Sequence, residues 1–238
     1  MKVAITQANY IPWLGFFELL DKVDLWVSLD NVQLSKRSYI VRNKVKQPGG
    51  DVSWISLKVQ KAPRATHIID SNLQMGFVEL HLNKFEQCYK HAAYFDETME
   101  FFQSTLPLGN DQNIASYNRR IICAICDYIG IELKVVSSVD LEMPLSGTAE
   151  DKIIGLSHQV KAKELYNFQM GIENNLYSAE RFSQEAIKLY KQSYMHPDYS
   201  QNDDHFEAYL SVADLLFHQG KSKALSIIQQ GRNWQLQN

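Results

Sequence analysis

The sequence predicts an α/β protein with three layers around a mostly parallel sheet. Three observations carry that prediction. Short apolar runs of strand type alternate with amphipathic runs of helical period along the chain. A strand, a helix and a second strand fit within the first 30 residues, as a parallel crossover unit requires. No Pro/Gly/Ser-rich linker or internal repeat divides the chain, so residues 1–238 read as a single domain with helical central and C-terminal parts.

Lys2 to Thr6 reads as a short buried strand, and Leu14 to Val23 as a helix that follows Pro12. Asp24 to Leu29 is the second strand, ending at Asp30. Val52 to Val59 alternates with a period near two, as a further strand does. Phe77 to Tyr89, Tyr94 to Phe102 and Asn113 to Ile129 carry apolar residues at helical spacing, and Gly130 suits the end of the last. Ile131 to Val136 reads as a strand. Thr148 and Asp151 have the spacing of a capping box opening a helix to about Val160. Strands at Glu164 to Tyr166 and Ala186 to Tyr190 flank a helical turn at Ser178 to Phe182. Ser211 to Gln219 and Lys221 to Gln230 close the chain as helices.

Composition excludes several classes. Charged residues make up 21% and hydrophobic residues 45%, outside the range of disordered chains. The longest apolar run that matters, Ile121 to Cys126, is far short of the roughly 20 residues that span a bilayer. No secretion signal opens the sequence, and three cysteines are an odd number for a disulfide framework, so a cytoplasmic protein with reduced thiols and no membrane partner is expected. No metal site is expected, since Asp203-Asp204-His205 reads as a solvated turn. Gly220-Lys221-Ser222 lacks the earlier glycine of a phosphate loop, because Leu215 stands there.

The net charge of −3 gives no electrostatic case for nucleic acid as a whole, but Lys36 to Arg64 carries +7 and the remainder −10. A local anion site fits that distribution, and so does a solvated basic loop. RNA binding is the weakest reading because aromatic residues in the segment amount to Tyr39 and Trp54.

Candidate chemistry lies at both ends. The loop after the first strand offers Gln7, Asn9, Tyr10 and Trp13 where open parallel sheets hold ligands. Asp30, Gln33, Lys36, Arg37, Arg42 and Asn43 follow the second strand and combine one acid with nearby cations, an arrangement for an anionic substrate that needs a base. Near the C-terminus, His196, Tyr199 and Gln201 form a polar loop cluster. Ser211 and Asp214 have capping-box spacing, so Asp214 is either a cap or a site carboxylate. Asp30, His196 and Asp214 are the candidate bases.

Gln7-Ala8-Asn9-Tyr10-Ile11-Pro12-Trp13-Leu14-Gly15-Phe16-Phe17, Leu29-Asp30-Asn31-Val32-Gln33 with Lys36-Arg37-Ser38 and Arg42-Asn43, and His196-Pro197-Asp198-Tyr199-Ser200-Gln201 with Leu210 to Phe217 together resemble the WbqC-like family. The family loop usually begins His-Gln-Pro-Asn, where this chain has Thr6-Gln7-Ala8-Asn9. The resemblance implies a bacterial enzyme of surface-polysaccharide, often O-antigen, biosynthesis. It implies transfer of a glycyl or other aminoacyl group to the amine of a nucleotide-linked amino sugar. The activated donor stays open between ATP chemistry and an aminoacyl-tRNA; nucleic acid is otherwise not an expected partner. A noncatalytic nucleotide-sugar or polyanion binding accessory protein is the alternative. The layout is also similar to the nucleotide-binding fold of pantothenate synthetases and cytidylyltransferases, in which the first strand-to-helix loop binds ATP.

Overall fold

The computed structural model describes residues 1–35, 37–109, 112–142, 147–169, 177–201 and 205–237. Five parallel strands and one antiparallel edge strand form the main sheet. In chain order they are β1 (Lys2–Thr6), β2 (Leu25–Ser28), β5 (Val135–Ser137), β6 (Glu164–Phe168), β7 (Lys188–Gln192) and β8 (Trp234–Leu236). Their spatial order is β5-β2-β1-β6-β7-β8. A separate antiparallel hairpin pairs β3 (Arg42–Lys46) with β4 (Val52–Ser56).

The helices are α1 (Leu14–Lys22), α2 (Val78–Tyr89), α3 (Phe95–Thr105), α4 (Ile114–Ile129), α5 (Ala149–Gln159), α6 (Ala179–Gln184) and α7 (Val212–Gln230). Alternation along the strands sorts them into layers, because successive side chains point to opposite faces. Val3, Ile5, Val27, Leu165 and Leu189 pack with Ile153, Ile154 and Leu156 of α5 and Phe182 of α6. Ala4, Trp26 and Tyr166 face the larger core built from α1, α2, α3, α4 and α7.

Local signals act where expected. Thr148 and Asp151 form the reciprocal capping box, and Gly130 takes the left-handed conformation (φ 84°) that ends α4. Three expectations change. The strand expected at 131–136 narrows to β5, since the N–H of Ile131 donates to the Cys126 carbonyl in the cap of α4. The strand expected at 52–59 stops at Ser56, and its partner β3 lies in the segment read as a basic loop. β8, unanticipated, pairs antiparallel with β7. The two closing helices stand as expected, the span Val212–Gln230 being two helices that meet at a non-helical kink at Gly220 (φ 69°), where a Cβ would stand 2.5 Å from the Tyr94 ring. Among the described residues no helix is long and apolar enough to cross a membrane, and Cys88, Cys123 and Cys126 are free thiols.

Candidate functional site

β1 lies between β2 and β6, and Thr6 pairs in register with Ser28, so the chain leaves both strands at the same sheet edge. α1, which follows β1, packs in the larger core, whereas α5, which precedes β6, covers the other face. A crevice between oppositely directed connections is where ligands meet such sheets. Gln7 and Asn9 stand there half-buried, and among the described residues neither amide side chain has a hydrogen-bond partner.

The rest of this first loop is held tightly. Asn118 donates to the carbonyl of Ala8 (2.9 Å), and Asn43 donates to those of Tyr10 (3.1 Å) and Ile11 (2.7 Å). Ile11 has φ 38°, a conformation costly for a β-branched residue, and Asn43 holds its carbonyl in place. Tyr10 is fully buried, its hydroxyl 2.7 Å from His81 Nδ1. Tyr10 and Asn43 therefore act inside the fold, fixing the loop that presents Gln7 and Asn9. Trp13 packs its indole among Phe168, Tyr194 and Tyr209, with ring centroids at 6.4, 5.3 and 5.5 Å. Its ring lies so close to the first turn of α1 that a Cβ on Gly15 would come within 2.3 Å of it.

Asp30 ends the β2 segment wholly buried. Ser28 donates to Oδ1 and Ser137 to Oδ2, each at 2.7 Å, and Arg119 of α4 pairs with Oδ2. Burial raises the carboxyl pKa, while the two serines and Arg119 oppose that rise. Both oxygens are engaged, so the carboxylate orients Arg119, whose side chain retains 21% exposure. Gln33 is tied off on the carbonyl of Arg64 at 2.7 Å.

A second polar cluster forms at the start of α7. The N–H of Val212 donates to Pro12 and that of Ser211 to Lys44, which brings the helix against the first loop and β3. Ser211 caps the helix by accepting from the Ala213 N–H. Asp214 does not complete a capping box with Ser211. Its fully buried carboxylate turns to Tyr199 and Gln201, which donate to Oδ2 at 2.8 and 2.9 Å. Oδ1 is buried with no partner among the described residues.

His218 Nδ1 donates to the Asp214 carbonyl at 2.8 Å and lies 3.6 Å from Oδ2. Burial alone would lower the His218 pKa, but its interactions with Asp214 outweigh burial and raise it. Lys46 donates to Gln201 Oε1 at 2.9 Å and to the carbonyl of His205. Lys46 and His218 also line a recess of about 220 Å³ with Gln87, Cys88, Tyr89 and His91. A carboxylate with one unpartnered oxygen beside a histidine has the chemistry to accept a proton or hold an ammonium group.

His196 lies among Tyr194, Tyr199, Phe206 and Tyr209, and its Nδ1 donates to the Pro197 carbonyl at 2.9 Å. Nε2 is buried without a partner among the described residues, and burial lowers the ring's pKa. Tyr209, at φ 58°, links this ring cluster to Trp13. The two ends of the chain thus meet around Trp13. A larger recess of about 700 Å³, lined by Met75, Leu82, Phe95 and Met99 among others, includes none of the expected site residues.

In the basic segment, Arg37 is exposed and Arg42 lies over Trp54, while Lys36 falls outside the described residues. Asp203 and Asp204 of the solvated-turn reading also fall outside them. Arg119, Ser137, Lys46 and His218 were not singled out from sequence. For His218 a signal existed, since it stands four residues after Asp214 on one helix face. Lys46 shares a strand face with Arg42 and Lys44, but that becomes visible only once β3 is recognised.

The model of the WbqC-like protein family matches residues 7–225. A protein of Mycobacterium tuberculosis (strain ATCC 25618 / H37Rv), named uncharacterized protein Rv1507c, is 33% identical over 223 residues, covering 92% of this chain and 94% of that relative. No solved structure matches the chain.

Proposed function

The chain belongs to the WbqC-like protein family, and on that premise we propose a transferase of bacterial surface-polysaccharide biosynthesis that forms an amide on the amine of a nucleotide-linked amino sugar. The observation that carries this reading is the Asp214 cluster. A buried carboxylate held by Tyr199 and Gln201, with one oxygen unpartnered among the described residues and His218 beside it, is suited to an amine that must be oriented and deprotonated.

In this reading the sugar nitrogen attacks the acyl carbon of an activated glycyl or other aminoacyl group. The C–N bond forms, the bond to the leaving group breaks, and the proton from nitrogen passes to the Asp214–His218 pair. Arg42, with Arg37 in the same basic segment, supplies positive charge for the diphosphate. Gln7 and Asn9 orient polar groups of the sugar or acyl donor, and Arg119, fixed by Asp30, offers a further cation at the strand ends.

The test is mass spectrometry of a nucleotide amino sugar incubated with the protein and glycine plus ATP, or with glycyl-tRNA. A product one glycyl residue heavier supports the reading and identifies the donor. Saturable binding without product under either condition leaves the noncatalytic accessory role instead.

A further inference from the structure

β3 carries Arg42, Lys44 and Lys46 on one side, because alternate residues of a strand share a face. Trp54 of β4 stands opposite Lys44 in the hairpin register. The Arg42 guanidinium lies 4.1 Å from the Trp54 ring centroid and the Lys44 ammonium 5.6 Å from it. Tyr39 adjoins the same indole at 5.9 Å. Trp54 and Tyr39 are each 42% exposed, and neither belongs to either core cluster.

Packing therefore does not account for this pair, and charge pairing does not account for the cations. Among the described residues neither Arg42 nor Lys44 has a carboxylate partner. Arg42 Nε is buried with no hydrogen-bond partner among them. The row of cations, spaced about 6.7 Å apart, ends at Lys46, which bonds Gln201, the residue that also holds Asp214.

We propose that this hairpin face binds a nucleoside diphosphate, with the base stacked on Trp54 beside Tyr39 and the two phosphates taken by Arg42 and Lys44. An aromatic ring stacks on any base, and arginine and lysine bind phosphate oxygens, so the two residue types together read as nucleotide chemistry. Two aromatic rings and the two partly exposed cations Arg42 and Lys44 match one nucleotide rather than a long strand. The row also gives the ligand a direction, since a group on the distal phosphate is carried toward Lys46 and Asp214. That last step rests on the transferase reading above, whereas nucleotide binding at the hairpin does not.

The experiment is calorimetric titration of the full chain with UDP, ADP and inorganic pyrophosphate. Both nucleotides are expected to bind, with pyrophosphate at least tenfold weaker because it cannot stack. Trp54→Ala and Arg42→Gln should each weaken UDP at least tenfold, and Lys44→Gln several-fold. Trp54→Phe should recover most of the loss, and Arg64→Gln should stay within twofold. Thermal melts of each variant within a few degrees of the wild type tie the losses to the surface rather than to folding. Unchanged UDP affinity in Trp54→Ala overturns the hairpin site and leaves the transferase reading intact. No nucleotide binding by the wild type overturns the site and removes the nucleotide-linked substrate as well. An oligouridylate bound far more tightly than UDP, with a steep salt dependence, assigns the face to RNA and overturns the proposal.

Discussion

Lowering the pH from 7.5 to 5 should destabilise this protein through one buried histidine. His81 is 5% exposed and sits between two partners, with Nε2 3.1 Å from the Ser56 carbonyl and Nδ1 2.7 Å from the Tyr10 hydroxyl. A carbonyl only accepts, so Nε2 carries the proton and Nδ1 accepts from Tyr10. Protonating Nδ1 would remove that acceptor and place a charge in the core. Burial pushes the pKa of His81 down to about 4, against 6.5 for a free histidine. Between those values the unfolded chain binds more protons than the folded one, so stability falls as the pH falls through the window.

The full effect is about 3.4 kcal/mol, of which about 2 kcal/mol is lost by pH 5. On a chain of this length that is a drop of roughly 4 to 8 °C in Tm. Urea unfolding at pH 7.5, 6 and 5 should be compared between the wild type and His81→Gln, which can still donate to Ser56 and accept from Tyr10. Carboxylates titrate in both proteins, so the difference between the two slopes isolates His81. The wild type should lose about 2 kcal/mol more than the variant over this range. Parallel slopes would falsify the argument. Because Tyr10 anchors the loop bearing Gln7 and Asn9, ligand affinity should weaken along with stability.

At the Asp214 cluster, Asp214→Asn and His218→Gln should each slow amide formation by about 10²-fold or more, with UDP affinity within a few-fold of the wild type; single-turnover rates with normal kcat would remove the pair from the chemistry. Asp30→Asn should destabilise by about 2 to 4 kcal/mol in urea, less than a fully buried pair because Arg119 reaches solvent, and a cost near zero would mean that Asp30 does not anchor Arg119. Gly220→Ala forces a Cβ into left-handed backbone and against Tyr94, for an expected loss of about 1 to 3 kcal/mol; an unchanged melt would show that the turn relaxes. Gly15→Ala should displace the Trp13 indole, which near-ultraviolet circular dichroism reads directly, and an unaltered spectrum would dismiss that close contact.

The α/β class and the N-terminal crossover follow from periodicity within short stretches, and the capping box at Thr148 and the Gly130 cap from residues a few positions apart, so the sequence alone makes them legible. Tyr199, Gln201 and Asp214 could be singled out from the sequence because they fall within one short segment, the first two in a polar loop and Asp214 as a lone carboxylate in the apolar run Leu210–Phe217. Whether Asp214 is a cap or a site carboxylate was not local, since the Ser211 N–H that a capping box would use donates to Lys44. Only the tertiary structure joins Asp30 to Arg119 across 89 residues, Tyr10 to His81 across 71 and Lys46 to Gln201 across 155. It also folds a stretch read as basic loop into β3, and so brings Arg42 and Lys44 onto Trp54. Periodicity and capping depend on bonds within a turn or two of chain. Pairing between strands far apart in the chain and buried ion pairs depend on which distant surfaces lose water together, and no short window of the sequence contains both partners.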